Sequence, residues 1–126
     1  MSVPVEGACF HPCSSCVFSQ AVAFDDLVAS KMTALVERGA PRDFRDIHAL
    51  CLAGYYTIAR CWELWQQRQQ AADADTDLRR AQVAVRTHLS RVVQARPLSQ
   101  IADAPERTDA ERTRQWFTQE FLHGLV

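Results

Sequence analysis

Residues 25–50 read DDLVASKMTALVERGAPRDFRDIHAL, and the order of an apolar-periodic run, a glycine, a proline and a second apolar-periodic run decides for helices. Val28, Met32, Leu35 and Val36 recur at three- and four-residue intervals, so a helix is expected from near Asp25 to Arg38. Asp25 reads as the acceptor for its first-turn amides, Gly39 as its left-handed stop, and Pro41 as the first turn of the next helix. In that second helix Phe44, Ile47, Leu50 and Cys51 form the inner side, and Asp43 and Asp46 sit in the first turn, where the helix dipole favours acids. Lys31, Ala34 and Arg38 share a neighbouring face of the first helix. Two bases and two acids thus converge on one helix–Gly–Pro–helix corner, which can build either a phosphate-handling site or a salt-bridged hinge.

The helical period continues downstream. After a small-residue break at Ala53 and Gly54, Ile58, Cys61, Trp62 and Trp65 mark a third helix that ends in the run WQQRQQ. The polar AADADTD is a loop. A fourth helix over about residues 76–96 turns Leu78, Ala81, Val85, Leu89, Val92 and Val93 inward, and Pro97 ends it. A last helix is expected near Thr108, where Thr108 and Glu111 have capping-box spacing, and it buries Trp116 or Phe117 with Phe121 and Leu122. Upstream, residues 17–24 (VFSQAVAF) alternate aromatic and β-branched side chains in part, which suggests a short extended segment without a convincing sheet partner. The expected fold is mainly α: a bundle of about five helices over residues 25–126, with an irregular or short-strand N-terminal arm over 1–24.

The chain has 126 residues, of which 48% are hydrophobic, which fits one domain able to bury a core without disulfides. Its formal net charge of −1 supplies no global basic field, so any phosphate affinity must be local. No apolar run is long enough for a membrane span, and the start lacks the basic and apolar regions of a secretory signal, so a cytoplasmic protein is expected. Five cysteines, with Cys51 and Cys61 inside expected helices, read as reduced thiols rather than a secreted disulfide framework. Cys9, His11, Cys13 and Cys16 could complete a tetrahedral zinc ion. Their crowding, Pro12 between them and the absence of a second knuckle favour a disordered or vector-like N-terminal extension instead. Trp62, Trp65 and Trp116 fall on apolar stripes and read as core anchors, not base-stacking platforms.

The corner carries an L-x-x-x-K-x-x-A-L-x-x-R helix, a Gly-Ala-Pro turn and then R-D-F-R-D-I. Over about twenty-five residues this resembles the C-terminal half of the AbiEii/AbiGii toxin nucleotidyltransferases of bacterial abortive-infection and type IV toxin–antitoxin systems. The resemblance implies a polymerase β-like sheet followed by a helical domain, and transfer of a nucleotide from an NTP with Mg²⁺, most often to RNA. It makes Lys31, Arg38 and Arg42 nucleotide-binding residues. It also puts Asp43 and Asp46 on the R-D-x-x-D motif as catalytic residues, the second one also read as orienting the lysine. The family's first half supplies a Gly-Ser segment and a metal-holding Asp-x-Asp strand, and nothing before Asp25 has that combination. Asp73-Ala74-Asp75 and Asp75-Thr76-Asp77 follow the lysine motif, in a polar loop. The chain therefore reads as the C-terminal portion of a truncated or split member, inactive and without cofactor alone. Its partner would be a cognate antitoxin or the missing N-terminal nucleotidyltransferase half, with an RNA acceptor only in the complete enzyme. The alternative is a non-enzymatic helical interaction module, its corner charges salt-bridged and an exposed apolar face docking an antitoxin or a second copy of itself.

Overall fold

A computed structural model describes residues 14–123. Its five α-helices are α1 (Ser14–Glu37), α2 (Pro41–Leu52), α3 (Ile58–Ala71), α4 (Leu78–Ala95) and α5 (Ala104–Trp116), with a 3-10 turn at Leu98–Gln100 and a π-helical turn at Phe117–Phe121. There is no strand among the described residues, and no helix among them is long and apolar enough to cross a membrane. The mainly helical bundle expected from the periodicity is what forms.

The long α1 is the spindle, packed against α3, α2 and α4. Its stripe Val28, Met32 and Leu35 is fully buried, and each such side chain contributes roughly 1.5–3 kcal/mol by leaving water. Phe44 and Ile47 of α2, Cys61, Trp62, Leu64 and Trp65 of α3, and Ala81, Val85 and Leu89 of α4 close the same core. The chain end completes it. Phe117 packs edge-on against Phe44 at 4.9 Å and beside Phe121 at 4.8 Å. The π turn brings Phe117, Phe121 and Leu122 all into the core.

Two boundaries differ from the sequence reading. Residues 17–24, expected as a short extended segment, belong to α1. A lone strand leaves its backbone N–H and C=O groups unpaired, whereas a helix pairs them within itself, and no strand partner exists among the described residues. Asp25 is consequently mid-helix and caps nothing. Its carboxylate accepts instead from the Tyr56 hydroxyl at 2.6 Å and the Arg60 guanidinium at 3.1 Å, tying α1 to the entrance of α3. The last helix begins at Ala104 rather than near Thr108, because the Asp103 carboxylate accepts from the Glu106 amide and Pro105 suits the first turn. The Thr108 hydroxyl donates back to the Ala104 carbonyl. α3 and α4 open on their own caps, Thr57 and Asp77, which accept from the Arg60 and Arg80 amides.

The exit of α1 fixes the corner. Both the Arg38 and Gly39 amides donate to the Ala34 carbonyl, at 2.8 and 3.0 Å, and Gly39 ends the helix in the left-handed region at φ +61°. The His88 ring of α4 lies directly over Gly39, where an added Cβ would stand 2.3 Å from the His88 Cβ. His88 Nε2 is 2.9 Å from the Val36 carbonyl, and since a carbonyl only accepts, that nitrogen carries the proton.

Candidate functional site: the charged corner between α1 and α2

The turn from Gly39 to Pro41 is short, so the last two turns of α1 and the first two of α2 lie side by side. Lys31 reaches across to Asp46, with Nζ 2.9 Å from Oδ2 and both side chains about one-third exposed. Arg38 clasps Asp43 at two points, Nε to Oδ2 at 3.1 Å and Nη2 to Oδ1 at 2.9 Å. The Ala40 amide donates to the same Asp43 Oδ2 at 2.9 Å, so this acid also completes half of a capping box at the entry of α2. Asp43 is buried while Arg38 keeps more than half of its side chain in solvent. Burial pushes the Asp43 carboxyl up, but the hydrogen bonds from Arg38 and Ala40 and the charges of Arg38 and Arg42 together hold it below the usual carboxylate range.

Four of the five residues singled out in the sequence are therefore brought together, as two cross-corner pairs. The acids join Lys31 of α1 and Arg38 just past its end, and not the neighbouring Arg42 and Arg45 of their own helix. Arg42 is exposed, beside the corner, and acts on Asp43 through its charge. His48 turns away toward α5, its Nδ1 3.1 Å from the Thr113 hydroxyl and its ring against Trp116; burial lowers its pKa and Asp109 raises it, the net shift being downward. Cys9, His11 and Cys13 of the candidate zinc cluster lie outside the described residues, as does the Cys16 side chain.

The downstream Asp-x-Asp patterns have local tasks. Asp75 accepts from the Asp77 amide and pairs with Arg80 at 3.0 Å, Asp77 caps α4, and Asp73 takes a positive φ of 54° in the turn. Among the described residues no group of three or more His, Cys, Asp or Glu is placed to hold a metal ion. At the corner each acid is engaged with a cation. The corner's donor set therefore does not fit Mg²⁺, whereas a half-exposed guanidinium and a one-third-exposed ammonium are groups of the kind that can meet phosphate oxygens.

Two residues escaped the sequence reading. A shallow groove of about 240 Å³ runs beside the corner, lined by Arg38, Gly39, His88, Arg91 and Arg96. Arg91 is exposed and has no ion-pair partner among the described residues. Arg96 pairs with Glu106 at 3.1 Å and also borders an adjoining cavity of about 150 Å³ between α2, α4 and α5, together with Arg45 and Arg114. The available signal was spacing: Arg91 follows His88 by three residues, so the face of α4 that meets Gly39 also carries Arg91.

Fold and corner together define a helical module whose helix–turn–helix is held by two ion pairs across the corner. The model of the nucleotidyl transferase AbiEii toxin family, of type IV toxin–antitoxin systems, matches residues 17–120. No curated protein and no solved structure matches the chain. The family match spans most of the chain, from within α1 to the end of α5 and into the π turn, and the chain belongs to the AbiEii nucleotidyl transferase toxin family.

Proposed function

We propose that the corner is the nucleotide-phosphate side of an AbiEii-type nucleotidyl-transfer site. The observation that carries it is the placement of Lys31 and Arg38 about two helical turns apart along the corner, each steered by an acid of α2 and each still reaching solvent. Arg38 commits Nε and Nη2 to Asp43, which leaves its exposed edge for an incoming anion. Lys31, a compact charge on a flexible stem, adds a second contact, and Arg42 a third. Asp43 and Asp46 set these cations and, in the assembled site, orient the acceptor hydroxyl. Arg91 extends the phosphate-binding surface along α4.

When bound, Mg²⁺ would neutralise charge on the transferred phosphate; the corner does not hold it, and the carboxylates for it come from a further segment or a second chain. The chain alone therefore binds NTP without transferring a nucleotide, and transfer to an RNA acceptor returns when the metal-bearing nucleotidyltransferase half is supplied. An antitoxin is the expected protein partner, since the family belongs to toxin–antitoxin systems. The test is incubation of the purified chain with Mg²⁺, labelled NTPs and RNA, with and without such a half. Label transfer only in the mixture, lost with Lys31→Ala, supports the reading. Full transfer by the chain alone overturns its incompleteness, and failure to bind any NTP overturns the phosphate role.

A second reading is a non-enzymatic interaction module. What favours it is an exposed aromatic edge away from the corner, where Phe24 meets Tyr55 at 6.1 Å near the exposed Leu27 and Leu52. Light scattering with the wild type and Tyr55→Ser tests it, self-association that disappears in the variant being the supporting result.

A further inference from the structure

Cys51, in the last turn of α2, and Cys61, in the first turn of α3, lie on either side of the 53–57 turn with their sulfurs 3.8 Å apart. Neither takes part in the corner. Cys61 is fully buried in the core, while Cys51 is half-buried and reachable from solvent. The connection between them is short, closed by the Gly54 and Tyr55 amides on the Cys51 and Leu50 carbonyls, and exposed at its tip. Leu52 and Tyr55 are exposed, and Gly54, at φ +83°, has open space where a Cβ would stand.

We propose that Cys51 and Cys61 form a peroxide-sensitive thiol pair that closes to an intramolecular disulfide, tethering the end of α2 to the start of α3. The sulfurs must approach from 3.8 Å to about 2.05 Å, a movement that side-chain rotation and the open turn can share. The order of events follows from access. The Cys51 thiolate attacks one peroxide oxygen, the O–O bond breaks, hydroxide leaves, and a sulfenic acid forms on Cys51. The Cys61 sulfur then attacks the Cys51 sulfur, the S–O bond breaks, and the hydroxyl leaves as water with the Cys61 proton. Two thiols lose two electrons and the peroxide gains them. The hydrogen bond from Cys61 lowers the Cys51 pKa against its burial, and the same contact with burial raises that of Cys61, so the accessible sulfur is the one inclined to ionise. With Cys61 already in contact, capture of the sulfenic acid outruns a second oxidation by external peroxide.

The experiment uses the full chain carrying Cys9→Ser, Cys13→Ser and Cys16→Ser, so that these two thiols alone remain. After stoichiometric hydrogen peroxide, the intact mass should fall by about 2 Da, a non-reducing peptide map should join the Cys51 and Cys61 peptides, and dithiothreitol should restore the starting mass. In the Cys61→Ser version, dimedone should trap Cys51 as its sulfenic acid. The same peptide map on the unsubstituted chain guards against misfolding of the triple variant. Two titratable thiols surviving the treatment, or Cys51 driven to sulfinic acid with Cys61 still free, would overturn the proposal.

Discussion

Arg38 and Asp43 meet across the turn between α1 and α2 in a two-point clasp at 2.9 and 3.1 Å, and the same carboxylate oxygen that accepts from Arg38 Nε also accepts the amide of Ala40. One buried acid thereby closes two structures, the ion pair and the entrance of a helix. Asp43→Asn keeps the shape and removes the charge, and its cost should be about 1–2 kcal/mol, read by urea denaturation at neutral pH. Because the folded carboxyl titrates below its ordinary value of 3.8, its stabilising contribution is present above that value and is lost as pH falls through the lower, folded one. The wild type should lose stability over this acid range, and Asp43→Asn should flatten the slope there. Equal slopes for the two proteins would contradict the assignment.

Gly39 answers to two constraints at once, its φ of +61° and the His88 ring above it. Gly39→Ala should cost about 2–4 kcal/mol, the sum of left-handed strain and overpacking. Adding His88→Ala should recover only part of the loss, since alanine keeps the Cβ that would stand 2.3 Å from the added one, the backbone strain persists and the bond to the Val36 carbonyl goes. Thermal melts of the single and double variants measure this. Full recovery in the double variant would mean that both the strain and the Cβ contact are negligible.

The Tyr56 hydroxyl donates to Asp25 at 2.6 Å, and burial together with that carboxylate raises the phenol to about 12. A group whose folded value lies above its unfolded value of 10.0 stabilises fully below the latter and less as pH rises through the former. Phenolate absorbance that is present in the wild type and missing from Tyr56→Phe should therefore emerge near pH 12. The variant should also be less stable at neutral pH by about 1–2 kcal/mol, with Arg60 still holding Asp25. Phenolate from Tyr56 already complete near its ordinary value would refute the bond.

Lys31 and Asp46 are each about one-third exposed, so their pair adds no more than about 1 kcal/mol to stability. Lys31→Met should melt close to the wild type and yet weaken NTP binding at least tenfold, as read by equilibrium dialysis. Asp46→Asn should leave binding in place and free the lysine's position, giving a smaller loss. A Lys31→Met protein that binds NTP as well as the wild type would remove the lysine from the site.

The buried stripes were legible because a helix repeats its inward face. Val28, Met32 and Leu35, then Phe44 and Ile47, then Cys61, Trp62 and Trp65 could all be read from spacing, and Gly39 with Pro41 marked the corner. Residues 17–24 were misread because VFSQAVAF has strand-like side chains, and only the absence of a sheet partner turns such a segment helical. The start of α5 was missed because both Asp103 and Thr108 are competent caps, and the choice rests on which start suits packing. Asp46 was read as orienting Lys31 from the family resemblance, but Asp43 had Arg42 beside it in sequence, while its actual partner, Arg38, lies across the turn. That selection depends on how α1 and α2 dock, which no local pattern encodes. For the same reason Arg91 could not be assigned to the corner before His88 was known to cover Gly39.

The helices α3, α4 and α5 each open on the side chain of their own N-cap residue, but α2 opens on a carboxylate that is also the resident counter-ion of Arg38. A phosphate bound on the free edge of Arg38 would therefore share the guanidinium with Asp43. If it drew Arg38 outward, it would leave that acid with the Ala40 amide as its remaining hydrogen-bond donor. On the proposed reading, the seat of the ligand and the firmness of the α2 entrance would thus meet in one side chain.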